Sequence, residues 1–155
     1  MLQRIQSVYL FIVFVFGILY AVLPIAQLST ETAGFSFRLL TYRTFFDQTV
    51  FSANWQGILL LIIWVAILVL TVYMTFQFKN RLLQIKLGKT NILLHVFITL
   101  LTFFFLDNLR NQVENIELNY GAGVLFPVIS LIFILMAIKA IKKDEELIRS
   151  ADRFR

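Results

Sequence analysis

The chain has 155 residues, 59% of them hydrophobic, with a mean hydropathy of +0.82, 17 Phe, no Cys and a formal net charge of +5. So much apolar surface excludes an ordinary soluble domain, and the missing Cys excludes a disulfide framework, thiolate metal ligation and a cysteine nucleophile together. The charge is not a nucleic-acid footprint, because the basic residues gather beside the ends of apolar runs, so no nucleic-acid partner is expected.

About 20 apolar residues in a helix cross the hydrocarbon core of a bilayer. Four runs approach that length, at about 8–26, 57–76, 90–106 and 122–138. With their short connections they use up the length of the chain and predict a single integral membrane domain over 1–155, with the lipid bilayer as its first partner. The fold class expected is all-α membrane: a four-transmembrane-helix bundle.

The first run, Val8–Ala26, follows a short polar start with Arg4, is long for a signal peptide and lacks a convincing cleavage pattern, so it reads as an uncleaved helix with Pro24 near its outer end. Gly17 and Ala21 form a small-xxx-small pair, which suits close packing inside the bundle and leaves a homo-oligomer open. The connection that follows is rich in aromatic residues, and Phe35-Ser36-Phe37-Arg38-Leu39 alternates in the period of a half-buried strand. A small extracytoplasmic β-hairpin, roughly Phe35–Thr44, is expected between helices 1 and 2. Its aromatics read first as a cap on the bundle and an interfacial belt, and second as a docking surface.

The second run, Gly57–Phe76, carries no charge, and Trp64 at its centre is expected to face another helix. The inner connection, Gln77–Lys89, interleaves Leu83 and Leu87 with basic residues. It reads as a short amphipathic turn ended by Gly88, with Lys79, Arg81, Lys86 and Lys89 as candidate anionic-lipid contacts. The third run starts near an N-cap at Thr90 or Asn91 and holds the one intramembrane ionisable residue, His95. With Thr99 it forms the candidate intramembrane polar site. No second ligand stands at metal spacing, and His95 is expected to hydrogen-bond a neighbouring helix or reach the inner interface. The hydroxyls of Thr99, Thr102 and Ser130 are expected to bond backbone carbonyls or reach across helices. In the fourth run Pro127 is positioned to bend the helix, which continues into an amphipathic tail at 139–155. There Glu145 and Arg149 stand four apart in a favourable order, and Arg149, Arg153, Phe154 and Glu145 are the candidate partner-docking residues.

Eleven of the 14 Lys and Arg residues fall on one side of this arrangement: Arg4, the four of the inner connection, Lys139, Lys142, Lys143, Arg149, Arg153 and Arg155. Arg38, Arg43 and Arg110 fall on the other. The positive-inside rule then puts both termini in the cytoplasm, N-in and C-in. No phosphate-binding glycine loop, zinc-protease helix or nucleophile elbow occurs, and the spans hold no carboxylate away from their ends. No catalytic residue, metal or cofactor is expected.

Met1-Leu2-Gln3-Arg4-Ile5-Gln6 at the start, Lys79-Asn80-Arg81-Leu82-Leu83-Gln84-Ile85 in the middle and Lys143-Asp144-Glu145-Glu146-Leu147-Ile148-Arg149-Ser150-Ala151-Asp152-Arg153-Phe154-Arg155 at the end are the most distinctive stretches. They resemble an uncharacterised four-span inner-membrane protein family of Bacteroidota, a domain of unknown function whose members start M-[IL]-Q-R-I-Q and end K-D-E-x-L-x-R-S-A-D-R-x-R. The resemblance covers the whole length. It implies the inner (cytoplasmic) membrane of a Gram-negative cell and no activity. The residues then point to a non-enzymatic accessory or scaffold subunit with a membrane-protein partner. The alternative is a small transporter or a lipid- or small-molecule-binding membrane protein, which requires a cavity near His95, Thr99 and Thr102.

Overall fold

The computed structural model describes residues 3–30, 33–39, 42–43, 55–78, 80–111 and 117–153. Four long helices and a small antiparallel sheet make up these residues. In chain order they are α1 (Gln3–Val22), β1 (Ala26–Thr30), β2 (Ala33–Phe37), β3 (Tyr42–Arg43), α2 (Trp55–Phe76), α3 (Arg81–Asn111), β4 (Glu117–Tyr120), a 3-10 turn (Ala122–Val124) and α4 (Leu125–Arg153). Each long helix contains a stretch long and apolar enough to cross a membrane. Around the bundle α1 packs on α4, α4 on α3, α3 on α2 and α2 on α1.

The first helix ends at Val22, short of the expected boundary at Ala26, and the cause is Pro24. Its ring disfavours helical backbone at Leu23 and it has no N–H to give. Leu23 N still reaches Leu19 O at 2.9 Å, but Ile25 N already donates to Phe37 O of the sheet at 2.8 Å. What continued the apolar run in the sequence is therefore the start of β1.

The sheet has the order β3-β2-β1-β4, every neighbouring pair antiparallel. The expected hairpin at Phe35–Thr44 corresponds to the short β2–β3 pairing, Ser36 opposite Arg43 and Phe37 opposite Tyr42; Thr44 lies outside the described residues. The larger part of the sheet was not anticipated. β1 pairs with β2 on one side and with β4 on the other, so the second outer connection closes onto the first. Ala26 and Phe37 face inward with Ile25, Leu39 and Val124, and together with Tyr20, Leu60, Phe105 and Leu106 they form a core that seats the sheet on the helix ends. A second core at the opposite, basic end joins Leu10, Val13, Met74, Ile134, Ile138 and Ile141.

The inner connection is corrected most. α3 begins at Arg81, nine residues before the expected N-cap, and runs unbroken through Gly88, Thr90 and Asn91 for 31 residues. Asn80 caps it: its Oδ1 accepts from Leu83 N at 3.1 Å, satisfying one of the free donors of the first turn. Gly88 does not end a turn; it allows close packing, since a Cβ there would stand 2.8 Å from Ile138 Cγ1 and 3.0 Å from Met74 Cε. Pro127 is the third residue of α4, close behind the 3-10 turn Ala122–Val124, an early position where its fixed φ is well tolerated. As expected, α4 continues into the charged tail.

Candidate functional site

The polar residues of α3 form a stripe. Gln84, Asn91, His95 and Thr102 are all buried, at spacings of seven, four and seven residues, which is one face of a helix. In an apolar layer such groups are costly unless they find a partner; the donors of this stripe find one, while Gln84 Oε1 and Asn91 Oδ1 are buried without one. Asn91, fully enclosed, donates from Nδ2 to Thr71 Oγ1 of α2 at 2.8 Å, and Thr71 passes its own proton to Ile67 O at 2.8 Å. Gln84 donates from Nε2 to Met74 O at 3.0 Å. Thr102 gives its proton to Ile98 O at 2.7 Å, so the Tyr20 hydroxyl, 2.8 Å away on α1, is the donor in their contact. Trp64 of α2 faces another helix as expected, donating from Nε1 to Gly17 O of α1 at 2.8 Å. α1, α2 and α3 are thus joined by direct polar bonds within the apolar layer.

His95 sits where these meet. Its Nδ1 lies 2.9 Å from Asn91 O, a bond within α3 rather than to a neighbouring helix. A carbonyl only accepts, so Nδ1 carries a proton, and in the neutral imidazole Nε2 is then the acceptor. His95 lines a small cavity walled also by Phe16 and Tyr20 of α1, Trp64 of α2, and Pro127 and Ser130 of α4. Its volume is about 10 Å³, room for one water-sized centre. Thr99 stands off this cavity and donates to His95 O at 2.7 Å. Thr99 and Thr102 thus follow the expected pattern of hydroxyls bonded to backbone, and Ser130 does not: its buried Oγ has no hydrogen-bond partner. Tyr20, Thr71, Asn91 and Ser130 were not singled out as site residues from the sequence. The heptad-like recurrence of polar residues along 84–102 was the signal that could have found part of the seam.

A different surface lies at the basic end. Gly88 against Ile138 sets the level at which antiparallel α3 and α4 meet, and Lys86, Lys89, Lys139, Lys142 and Lys143 are exposed around it. Arg81 is half-buried at the start of α3, and its Nη1 has no hydrogen-bond partner. The tail packs back on α1: Ile141 is buried, and Gln6 Nε2 donates to the Asp144 carboxylate. The two terminal stretches that stand out in the sequence therefore touch each other. Glu145 is half-buried and engaged in an interaction. Arg149 and Arg153 fall on α4, while Phe154 and Lys79 lie outside the described residues. Beyond the lysines, Leu82 (58%), Leu147 (49%) and Ile148 (46%) are exposed. Among the described residues no group of three or more His, Asp or Glu side chains is placed to hold a metal ion.

Four apolar helices of membrane-crossing length, capped at one end by a small sheet, define a multi-pass membrane protein. The family model described as "Domain of unknown function (DUF4293)" matches residues 2–154, and the chain belongs to that family. No curated protein and no solved structure matches it.

Proposed function

We propose that the protein is a non-enzymatic accessory or scaffold subunit of the bacterial inner membrane, in Bacteroidota, with both termini in the cytoplasm. The observation that carries this reading is the apolar surface at the basic end. Asp107 and Lys86 stand 21 residues apart on α3, about 32 Å, which is the hydrocarbon thickness of a bilayer. Leu82 lies one turn beyond Lys86, and Leu147 and Ile148 lie a turn beyond Lys143. Exposed Leu, Val and Phe along the spans suit lipid, whereas these three lie beyond the lysines that mark the proposed cytoplasmic surface. The Gln6–Asp144 contact ties α4 to α1 three residues before Leu147. A membrane-protein partner with an apolar patch and an acidic rim fits this surface. Lys86 and Lys89, with Arg81 and Lys79, suit the anionic lipids of the same leaflet.

The test is a mild-detergent pull-down of tagged protein from its own membranes, compared with a Leu147→Ser, Ile148→Ser double variant and an Arg149→Ala, Arg153→Ala double variant. A stoichiometric partner retained by the wild type and lost in both variants supports the reading. A monodisperse, partner-free protein carrying a defined lipid or solute transfers support to the alternative, a small transporter or a lipid- or small-molecule-binding protein. Among the described residues the cavity at His95 bears on that reading, and with room for one water-sized centre it does not itself suit a lipid-sized cargo.

A further inference from the structure

Ser130 is the only hydroxyl-bearing or amide-bearing residue of α4 before the charged tail. It is 1% exposed, its Oγ has no partner, and it lines the same cavity as His95, itself 2% exposed. We infer that this cavity binds one water molecule, held between the Ser130 hydroxyl and the His95 imidazole.

Three observations converge on a water rather than an empty void or an apolar ligand. The volume of about 10 Å³ is room for one water-sized centre. The chemistry is complementary: His95 spends its Nδ1 proton on Asn91 O, leaving Nε2 to accept a proton from the water, while the Ser130 hydroxyl can donate to the water or accept from it. A hydroxyl left bare in an apolar interior also costs free energy that a water removes, and two polar partners meet the minimum that ordered internal waters have. Phe16, Tyr20 and Trp64 line the same pocket, and the Ser130 Oγ within it is itself buried from the outside.

The water completes a pattern. Trp64 to Gly17 O joins α2 to α1, Tyr20 to Thr102 joins α1 to α3, and Asn91 to Thr71 joins α3 to α2. At this depth α4 enters the same network only through Ser130, and the water is the link between Ser130 and the α3 stripe.

Water-edited solid-state NMR of the protein in lipid bilayers tests the site, since it reads the transfer of polarisation from mobile or bound water to individual side chains. The expected result is transfer to Ser130 and to the His95 ring, with none above background to Ile134, a buried apolar residue one turn along α4. Ser130→Val should fill the space and abolish transfer to His95. Ser130→Ala, which adds no bulk and so keeps the fold, should reduce it strongly. Wild-type Ser130 and His95 that receive no more transfer than Ile134 would overturn the inference, as would lipid-to-Ser130 transfer in place of water. Transfer to His95 that persists unchanged in a folded Ser130→Ala would overturn it as well, since Ser130 would then not hold the water.

Discussion

Gly121 sits in extended backbone, φ −85° and ψ 168°, a conformation open to any residue, so its requirement is for space and not for flexibility. Its N–H donates to Ile25 O at 2.9 Å, and the neighbouring Gly123 N–H donates to Pro24 O at 3.0 Å. A Cβ at position 121 would stand 2.1 Å from Pro24 O. That atom is backbone, fixed by the end of α1 and the start of β1, so it cannot rotate away. Gly121→Ala is expected to destabilise the protein by about 3 kcal/mol, the upper part of the usual range for overpacking. Thermal unfolding in detergent checks it, and a melting temperature within a degree of wild type would show that the two junctions can separate without cost. Asn91 makes the opposite case, since its bond to Thr71 is a side-chain pair that can be removed from both sides. Thr71→Val alone leaves Asn91 Nδ2 without an acceptor, whereas Thr71→Val with Asn91→Leu removes donor and acceptor together. A double-mutant cycle should give a coupling of about 0.6 kcal/mol, because polar pairs inside membranes contribute modestly. A coupling near zero would mean that Asn91 finds another partner.

Among the elements, α1 and α4 form the most extensive helix pair, and the Gln6–Asp144 contact closes it at the basic end. Asp144 is buried although it belongs to a run of charges, and its acceptor meets a neutral amide donor from the other end of the chain. Asp144→Asn keeps an acceptor and turns a charge-assisted bond into a neutral one, at a cost of about 1 kcal/mol. Asp144→Ala leaves Gln6 with an unsatisfied buried amide and should cost about 2 kcal/mol. Equal losses in unfolding measurements would indicate that the carboxylate's charge, rather than its acceptor geometry, holds the tail. The element scale is also where the sequence was read least well. The apolar runs identified all four helices because membrane burial demands length and hydropathy, which a one-dimensional pattern carries. The boundaries failed where three-dimensional contacts decided them. Lys86, Gly88 and Lys89 broke the apolar run without breaking α3, because Gly88 faces Ile138 and the lysines face outward. β4 was invisible because Glu117–Tyr120 is polar and short, and becomes a strand only by pairing with β1. For the site, His95 stood out as the only ionisable residue within a span. The orphaned state of Ser130 was not legible, since hydroxyls such as Thr99 and Thr102 bond their own helix and Ser130 differs only in what surrounds it.

At the scale of the whole molecule, the lengths of the helices and the placement of charge bear on one question, which end faces the cytoplasm. α3 and α4 have 31 and 29 residues, against 20 and 22 for α1 and α2, and their excess carries lysines past the span at one end. The opposite end carries the sheet, with Gln27, Arg38, Glu117 and Asn119 exposed and Tyr120 packed edge-on against Phe103 at a ring separation of 5.6 Å, where an interfacial aromatic belongs. In the orientation proposed above, from the positive-inside rule, the lysine end is cytoplasmic, and the missing Cys makes that proposal measurable without background, since any introduced thiol is unique. Asn119→Cys and Ser150→Cys place thiols at exposed positions on the two ends. In intact cells with a permeable outer membrane, a membrane-impermeant maleimide should label Asn119→Cys and leave Ser150→Cys unlabelled until the inner membrane is opened. The reverse pattern would invert the topology and move the Leu147–Ile148 surface to the periplasm. Any partner would then have to be sought on that side.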